Sequence, residues 1–208
     1  NPRNGYFSLS NHSKRNKYRK NGGSLLPGHH SRYRKATALT PKHILLILDG
    51  RSPTAQRWIE AVLSLGYRVS VVSTYPLFKD LPVEQTFILP VAFSNITAQK
   101  TTENKVVQTG KQTLITRFRS LLLWARYQLG PNTLPKYGKT LQRIIQEIQP
   151  DLVHALRVPF EGMLAAYTPN NIPLVISIWG NDFTLHAEAS QKMAAFTRRT
   201  LQRANALM

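Results

Sequence analysis

Three short stretches of this 208-residue sequence pair a turn with side chains suited to holding a polar ligand. They are Asp49-Gly50-Arg51-Ser52, His154 within "DLVHAL", and Gly180-Asn181-Asp182 within "VISIWGNDFT". Glycine lets the backbone turn sharply and approach a ligand closely. Asn181 and Asp182 offer polar groups that fix hydroxyls, and His154 offers an imidazole. Each stretch also has a plainer reading. Asp49-Gly50 is a common turn pair, and Asn181-Asp182 suits the N-cap of a following helix. His154 alone reads as a hydrogen-bonded core histidine, and Trp179 as core. Neither a dinucleotide fingerprint G-x-G-x-x-G nor a phosphate loop G-x-x-x-x-G-K-[ST] occurs. No two ligand-type residues share one element at metal-binding spacing, so no metal is expected.

The elements that must position these residues alternate strand and helix. "KHILLILDG", 42–50, is an apolar run without polar alternation, which suits a strand buried on both faces. Next comes a helix capped by Thr54, with Ala55, Ile59, Val62 and Leu63 on its apolar face and Gly66 at its end. "RVSVVS" is a second strand, giving a β-α-β unit with a right-handed crossover. "TFILPVAF", 86–93, reads as a third strand, and 94–110 as a loop. Helices follow over 111–130, with the stripe Leu114, Ile115, Phe118, Leu121 and Leu122, and then on Leu141, Ile144, Ile145 and Ile148 up to Pro150. "DLVHAL", 151–156, is a strand, and "PFEGMLAAYT" a short helix. A strand over 174–179 and a final helix from His186 complete the chain. The pattern predicts an α/β fold with a doubly wound, mostly parallel Rossmann-like sheet. In such a sheet ligands bind at the carboxyl ends of the strands, where all three stretches are expected.

Composition sets the outer bounds. Hydrophobic residues make up 42% of the chain, enough for a core, and there is no cysteine for a disulfide or a thiolate metal site. No apolar run reaches the roughly 18 residues of a membrane span. The net charge of +18 is uneven. Residues 1–42 carry ten Lys and Arg and no acid, and 104–146 carry eight and no acid. Residues 1–41 are therefore expected to be a basic, disordered arm. The chain does not begin with Met and stops just after a helical pattern, so a fragment is expected.

From about Lys42 to Met208 the sequence resembles the N-terminal domain of a retaining family 4 glycosyltransferase of the two-domain GT-B fold. The resemblance rests on five elements in order. "SPTAQRWIEAVLSLGYRVSVVS" is similar to the family's "H-T-x-R-W-[IV]…L…x-G-H-x-V-x-[VL]-[IV]-S". "IQPDLVHAL" is similar to "x-P-D-[IV]-V-H-A-H", and "FEGMLAA" to "x-G-x-L-A-A". "IPLVISIWGNDF" is similar to "x-P-L-V-x-[ST]-x-W-G-S-D-[IVF]". "TRRTLQRANALM" is similar to a helix ending "R-A-D-x-[IV]" that leads into the next strand. The sequence departs from the family at Tyr67, where His is usual, and at Asn205, where Asp is usual. It also has Trp179 where a larger branch has His, and the loop after its first strand lacks a double glycine.

The resemblance implies transfer of a sugar from a nucleotide-sugar donor to a saccharide, lipid-linked or other hydroxyl acceptor, with retention at the anomeric carbon and no separate cofactor. It implies that a second domain holds most of the donor, leaving residues 42–208 as the acceptor side. Asp182, Asn181 and His154 are then the candidates for the transfer site. Gly50 and Gly180 are candidates for backbone approach to the donor, and Arg51 for a charge near its diphosphate. The expected location is cytoplasmic, or peripheral at the inner face of the cytoplasmic membrane. The 104–146 block, with Phe118, Trp124 and Tyr127, suits an anionic membrane surface. Two other readings compete. One is a basic protein that binds nucleic acid or another anionic surface, although no helix-turn-helix, zinc or RNP-type signature supports nucleic acid. The other is an unrelated flavodoxin-like domain that binds a small ligand.

Overall fold

The computed structural model describes residues 40–94, 121 and 123–208. The expected arm lies outside these residues except for its last two, and so does most of the 111–130 helix, of which 123–129 are described and helical. Strand β1 (His43–Leu48) is buried along its whole length, as its unbroken apolar run requires. It is followed by α1 (Pro53–Ser64), β2 (Arg68–Ser73) and β3 (Gln85–Ile88). After the 123–129 helix come α2 (Leu134–Ile148), β4 (Leu152–Ala155) and the single turn α3 (Met163–Ala165). Then follow β5 (Leu174–Ile176), α4 (Gln191–Arg203) and β6 (Ala206–Leu207).

All six strands are parallel, in the order β3-β2-β1-β4-β5-β6. This is the Rossmann order, not the 2-1-3-4-5 order of a flavodoxin-like sheet. Side chains alternate between two cores, as a pleated strand demands. Leu45, Ile47, Val153, Ala155, Leu174 and Ile176 pack on the face covered by α2, α3 and α4. Ile44, Leu46, Leu48, Val69 and Val71 pack with Ala55, Ile59 and Val62 of α1 on the other. Each fully buried Leu or Ile contributes about 2 kcal/mol, so the central strand alone anchors the sheet. No described helix is long and apolar enough to cross a membrane.

Several expected boundaries move. Thr54 does not cap α1: Ser52 occupies the N-cap position without a side-chain bond, and Pro53, with its preset φ, opens the first turn. The helix does stop at Gly66, which takes φ +81, a conformation favourable only for glycine. The third strand ends at Ile88 because Pro90 cannot extend the ladder, and the chain turns through Ala92 and Phe93 at positive φ. Strand β5 has three residues rather than six. The Ser177 and Ile178 N–H groups still donate to the Ala155 and Met208 carbonyls, but Trp179 is 43% exposed, so it is not core. The last helix begins at Gln191 and not at His186, because irregular turns occupy 182–189 and the Ser190 hydroxyl caps the Met193 N–H at 3.1 Å. The closing Ala206-Leu207 pairs with β5 as a sixth strand too short to show as a periodic pattern.

Candidate functional site

The strand order reverses direction between β1 and β4, so the loops leaving their carboxyl ends diverge and open a crevice. A cavity of about 170 Å³ lies there. Its walls include Asp49 and Ser52 after β1, Leu156, Arg157 and Glu161 after β4, and Trp179 after β5. Asp49 and Ser52 of the first stretch line this cavity, whereas the six candidates Gly50, Arg51, His154, Gly180, Asn181 and Asp182 do not.

Asp49 and Arg51 form a two-bonded pair, with Arg51 Nε and Nη2 donating to the two carboxylate oxygens at 3.0 Å each. The Arg51 guanidinium also lies 3.7 Å from the centre of the Tyr75 ring, in cation–π contact. Burial alone would lower its pKa, but the Asp49 bond and charge outweigh that and raise it. Gly50 is buried, its N–H donating to Ser73 Oγ at 3.2 Å and its carbonyl accepting from Gln56 at 3.1 Å. A Cβ there would sit 2.4 Å from a Leu77 methyl. Glycine therefore lets the β1 loop close onto the loop after β2.

Asp182 is 1% exposed. Its Oδ2 accepts the Val158 N–H at 3.0 Å and the Trp179 N–H at 3.1 Å. It thus clamps the loop after β4 to the loop after β5, and it does not cap α4. The Trp179 indole N–H donates to the Leu156 carbonyl, a second tie between the same loops. Gly180 and Asn181 stand exposed beyond the clamp, with open space around the Gly180 Cα. His154 pairs in register with Leu46, which places it on the α1 face. It lies edge-on to Trp58 with ring centres 5.6 Å apart, and its Nε2 is 2.9 Å from Ser177 Oγ. Burial pulls its pKa down to about 4, so the ring is neutral near pH 7.

Sequence reasoning passed over the chemically richest segment, "RVPFEG", straight after β4. Arg157 Nε donates to Glu161 Oε2 at 3.0 Å. Glu161 is 2% exposed, and its other oxygen lies 3.4 Å from the Thr74 hydroxyl. Burial raises the Glu161 pKa to about 7, with Arg157 opposing the shift. Burial also disfavours the Arg157 cation, but the Glu161 charge prevails and raises its pKa. The turn Val158–Gly162 holds Phe160 at φ 61, a strained value for a bulky buried side chain. Applying the strand-end rule to this loop, where opposite charges stand four residues apart, would have found the pair.

Residues 125–208 match the family described as glycosyl transferase 4-like. Among solved structures, the chain resembles the calicheamicin glycosyltransferase CalG4 at 17% identity and a TM-score of 0.44. The alignment covers 79% of this chain and 43% of that one, so the chain spans less than half the length of that protein. No curated protein matches it. His154, Arg157, Glu161, Trp179 and the Gly180–Asp182 turn all fall within the matched residues 125–208, which are similar to that family.

Proposed function

We propose that residues 42–208 form the acceptor-side half of a glycosyltransferase that moves a sugar from a nucleotide-sugar donor to a hydroxyl acceptor with retention. The observation that carries this reading is the cavity between the ends of β1 and β4, walled by Arg157, Glu161 and Trp179 from the glycosyl transferase 4-like segment. Retaining transfer passes through an oxocarbenium-like state while negative charge grows on the departing diphosphate. A half-site contributes by placing the acceptor oxygen and by presenting fixed positive charge. Asn181 and Gly180, exposed at the rim, meet sugar hydroxyls, and Arg51 faces the diphosphate. Asp182 is a positioning residue, acting through the two loops it clamps. His154, neutral and buried, supports the β4 end rather than exchanging protons near pH 7.

In the two-domain arrangement that the resemblance implies, a second domain binds most of the donor. The 208-residue chain alone is therefore expected to turn over no nucleotide sugar. Joined to a donor domain of its own gene, it is expected to release nucleoside diphosphate only when acceptor is present. Robust transfer by residues 1–208 alone would overturn the half-site reading. A joined protein inert toward every nucleotide sugar would overturn glycosyl transfer itself.

A further inference from the structure

A second hollow, of about 210 Å³, adjoins the first at Arg157, which lines both. Tyr75, Arg126, Tyr127, Phe160 and His186 also line it. Its charge is one-sided, for among the described residues no Asp or Glu lines it. The carboxylate of Glu161, which compensates Arg157, opens on the neighbouring cavity instead. Arg126 is held between two aromatic faces, its guanidinium carbon 4.7 Å from the Phe160 ring centre and 5.3 Å from that of Tyr75. Among the described residues it has no carboxylate partner. The ring of Phe160 takes its place through the strained φ of 61, and such strain collects where a ligand is clamped.

Polar groups complete the wall. The Tyr127 hydroxyl lies 2.8 Å from His186 Nδ1. When Nδ1 carries the proton and donates to the phenol oxygen, the phenol O–H is left to donate to a guest, and with the ring doubly protonated Nε2–H donates as well. Burial lowers the His186 pKa from its ordinary value, with Asp182 opposing and the two arginines reinforcing. An anion held beside the ring opposes that shift and favours the protonated, donating form. An aromatic guest fits less well, because the faces of Tyr75 and Phe160 are already turned to cations.

We propose that this hollow binds a phosphate-type oxyanion carried by the acceptor, with Arg126 and Arg157 supplying charge and Tyr127 and His186 supplying hydrogen bonds. Only the assignment to the acceptor rests on the glycosyltransferase reading; the anion site stands on its own geometry. An anionic acceptor held here lies beside the switch-point cavity, which suits delivery of its hydroxyl to the reaction centre.

The test is calorimetric titration of the 208-residue chain with sulfate, whose double charge is constant from pH 6 to 8, at fixed ionic strength. The expected result is one saturable site, weakened at least tenfold by Arg126→Gln and unchanged by Arg143→Gln on the exposed face of α2. Equal weakening by both variants, or no saturable site, would overturn the proposal. Should Arg126→Gln fail to fold, Tyr127→Phe is expected to weaken sulfate about threefold, and an unchanged affinity there would overturn it equally. Two competitors separate the sources of phosphate. Displacement of sulfate by an alkyl phosphate at least as well as by a nucleoside diphosphate supports the acceptor. Tenfold tighter displacement by the nucleoside diphosphate moves the site to the donor and overturns the acceptor assignment. Sulfate binding without any transfer by the joined protein would count against the proposed function alone.

Discussion

The two edges of the sheet carry ion pairs of similar length in opposite settings. At the amino edge, Lys42 pairs with Asp151 at 2.7 Å and Arg68 with Glu84 at 2.7 Å, every partner at least 40% exposed. At the carboxyl edge, Arg51 pairs with Asp49 and Arg157 with Glu161 at 3.0 Å each, and the Glu161 side chain is only 2% exposed. Water screens the first set, which is worth little to stability. The second set is drawn into the protein beside two cavities, where an unbalanced charge is costly. Bond length therefore does not separate the two sets, whereas burial beside a cavity does.

The sharpest test of this contrast removes one partner from the buried pair. Arg157→Ala leaves the Glu161 carboxylate without its cation and is expected to cost about 4 kcal/mol in urea unfolding at pH 8. The loss should shrink at pH 5, where Glu161 holds a proton and no bare charge is stranded. A loss independent of pH would mean that Arg157 matters through packing alone.

Two buried ionisable groups, His154 on β4 and Glu161 in the loop after it, should tilt stability in opposite directions. Glu161 has its pKa raised from 4.5 to about 7, so the stability it contributes is complete below 4.5 and lost as pH rises through about 7. His154 has its pKa lowered from 6.5 to about 4, so its contribution is present above 6.5 and lost as pH falls toward 4. Between these limits the two slopes oppose, and the native protein should be nearly flat in stability. Glu161→Gln should then gain up to about 3 kcal/mol as pH rises across that window, and His154→Asn should lose a similar amount. Thr74, Arg157 and Asp49 act on Glu161, while Trp58 and Ser177 flank His154. Parallel slopes in the two variants would contradict the burial assigned to one of them.

The same contrast shows what was readable in the sequence. The parallel sheet was legible because "HILLIL" and "RVSVVS" are apolar enough to be strands and α1 announces itself at helical spacing. The strand-end rule then found Gly50 and the Gly180–Asp182 turn. Burial was not legible. Nothing in "GNDF" tells that Asp182 turns inward to two backbone N–H groups while Asn181 stays outside. Nor does "RVPFEG" tell that Glu161 sits next to Thr74, a contact between residues 87 positions apart. The plainer reading of Trp179 as core fails for the same reason: its apolar bulk suits a core, but its indole N–H is used to tie the loop after β4.

Asp182 lies between the two extremes, being buried but paired with backbone rather than with a cation. Asp182→Asn keeps an acceptor oxygen for the Val158 and Trp179 N–H groups and loses only the charge, so stability should fall by about 1 kcal/mol. Under the proposed function, turnover by the protein joined to a donor domain should fall further, roughly a hundredfold or about 2.7 kcal/mol of barrier, because the neutral acceptor holds the loops bearing Arg157 and Asn181 less firmly and the negative charge is gone. Near-normal turnover would remove Asp182 from the site and leave it as a structural clamp.

The smallest expected effect is at the amino edge, and it completes the comparison. Arg68 donates to both oxygens of Glu84 at 2.7 and 2.8 Å, a better geometry than the single Arg157–Glu161 bond. On geometry alone, Arg68→Ala should be the more damaging change. Solvent reverses that ranking. Water replaces the lost partner of Glu84 on removal of Arg68, and salt screens the pair when both are present. The Glu84 pKa, held down chiefly by the Arg68 hydrogen bond, should return toward the ordinary carboxylate value, which carbonyl-carbon NMR titration would show. Unfolding by urea at pH 8 should stay within the scatter of ordinary surface substitutions. If Arg68→Ala instead destabilises the fold as much as Arg157→Ala does, then burial is not what separates the two edges, and the case for a special site at β1 and β4 loses its physical basis.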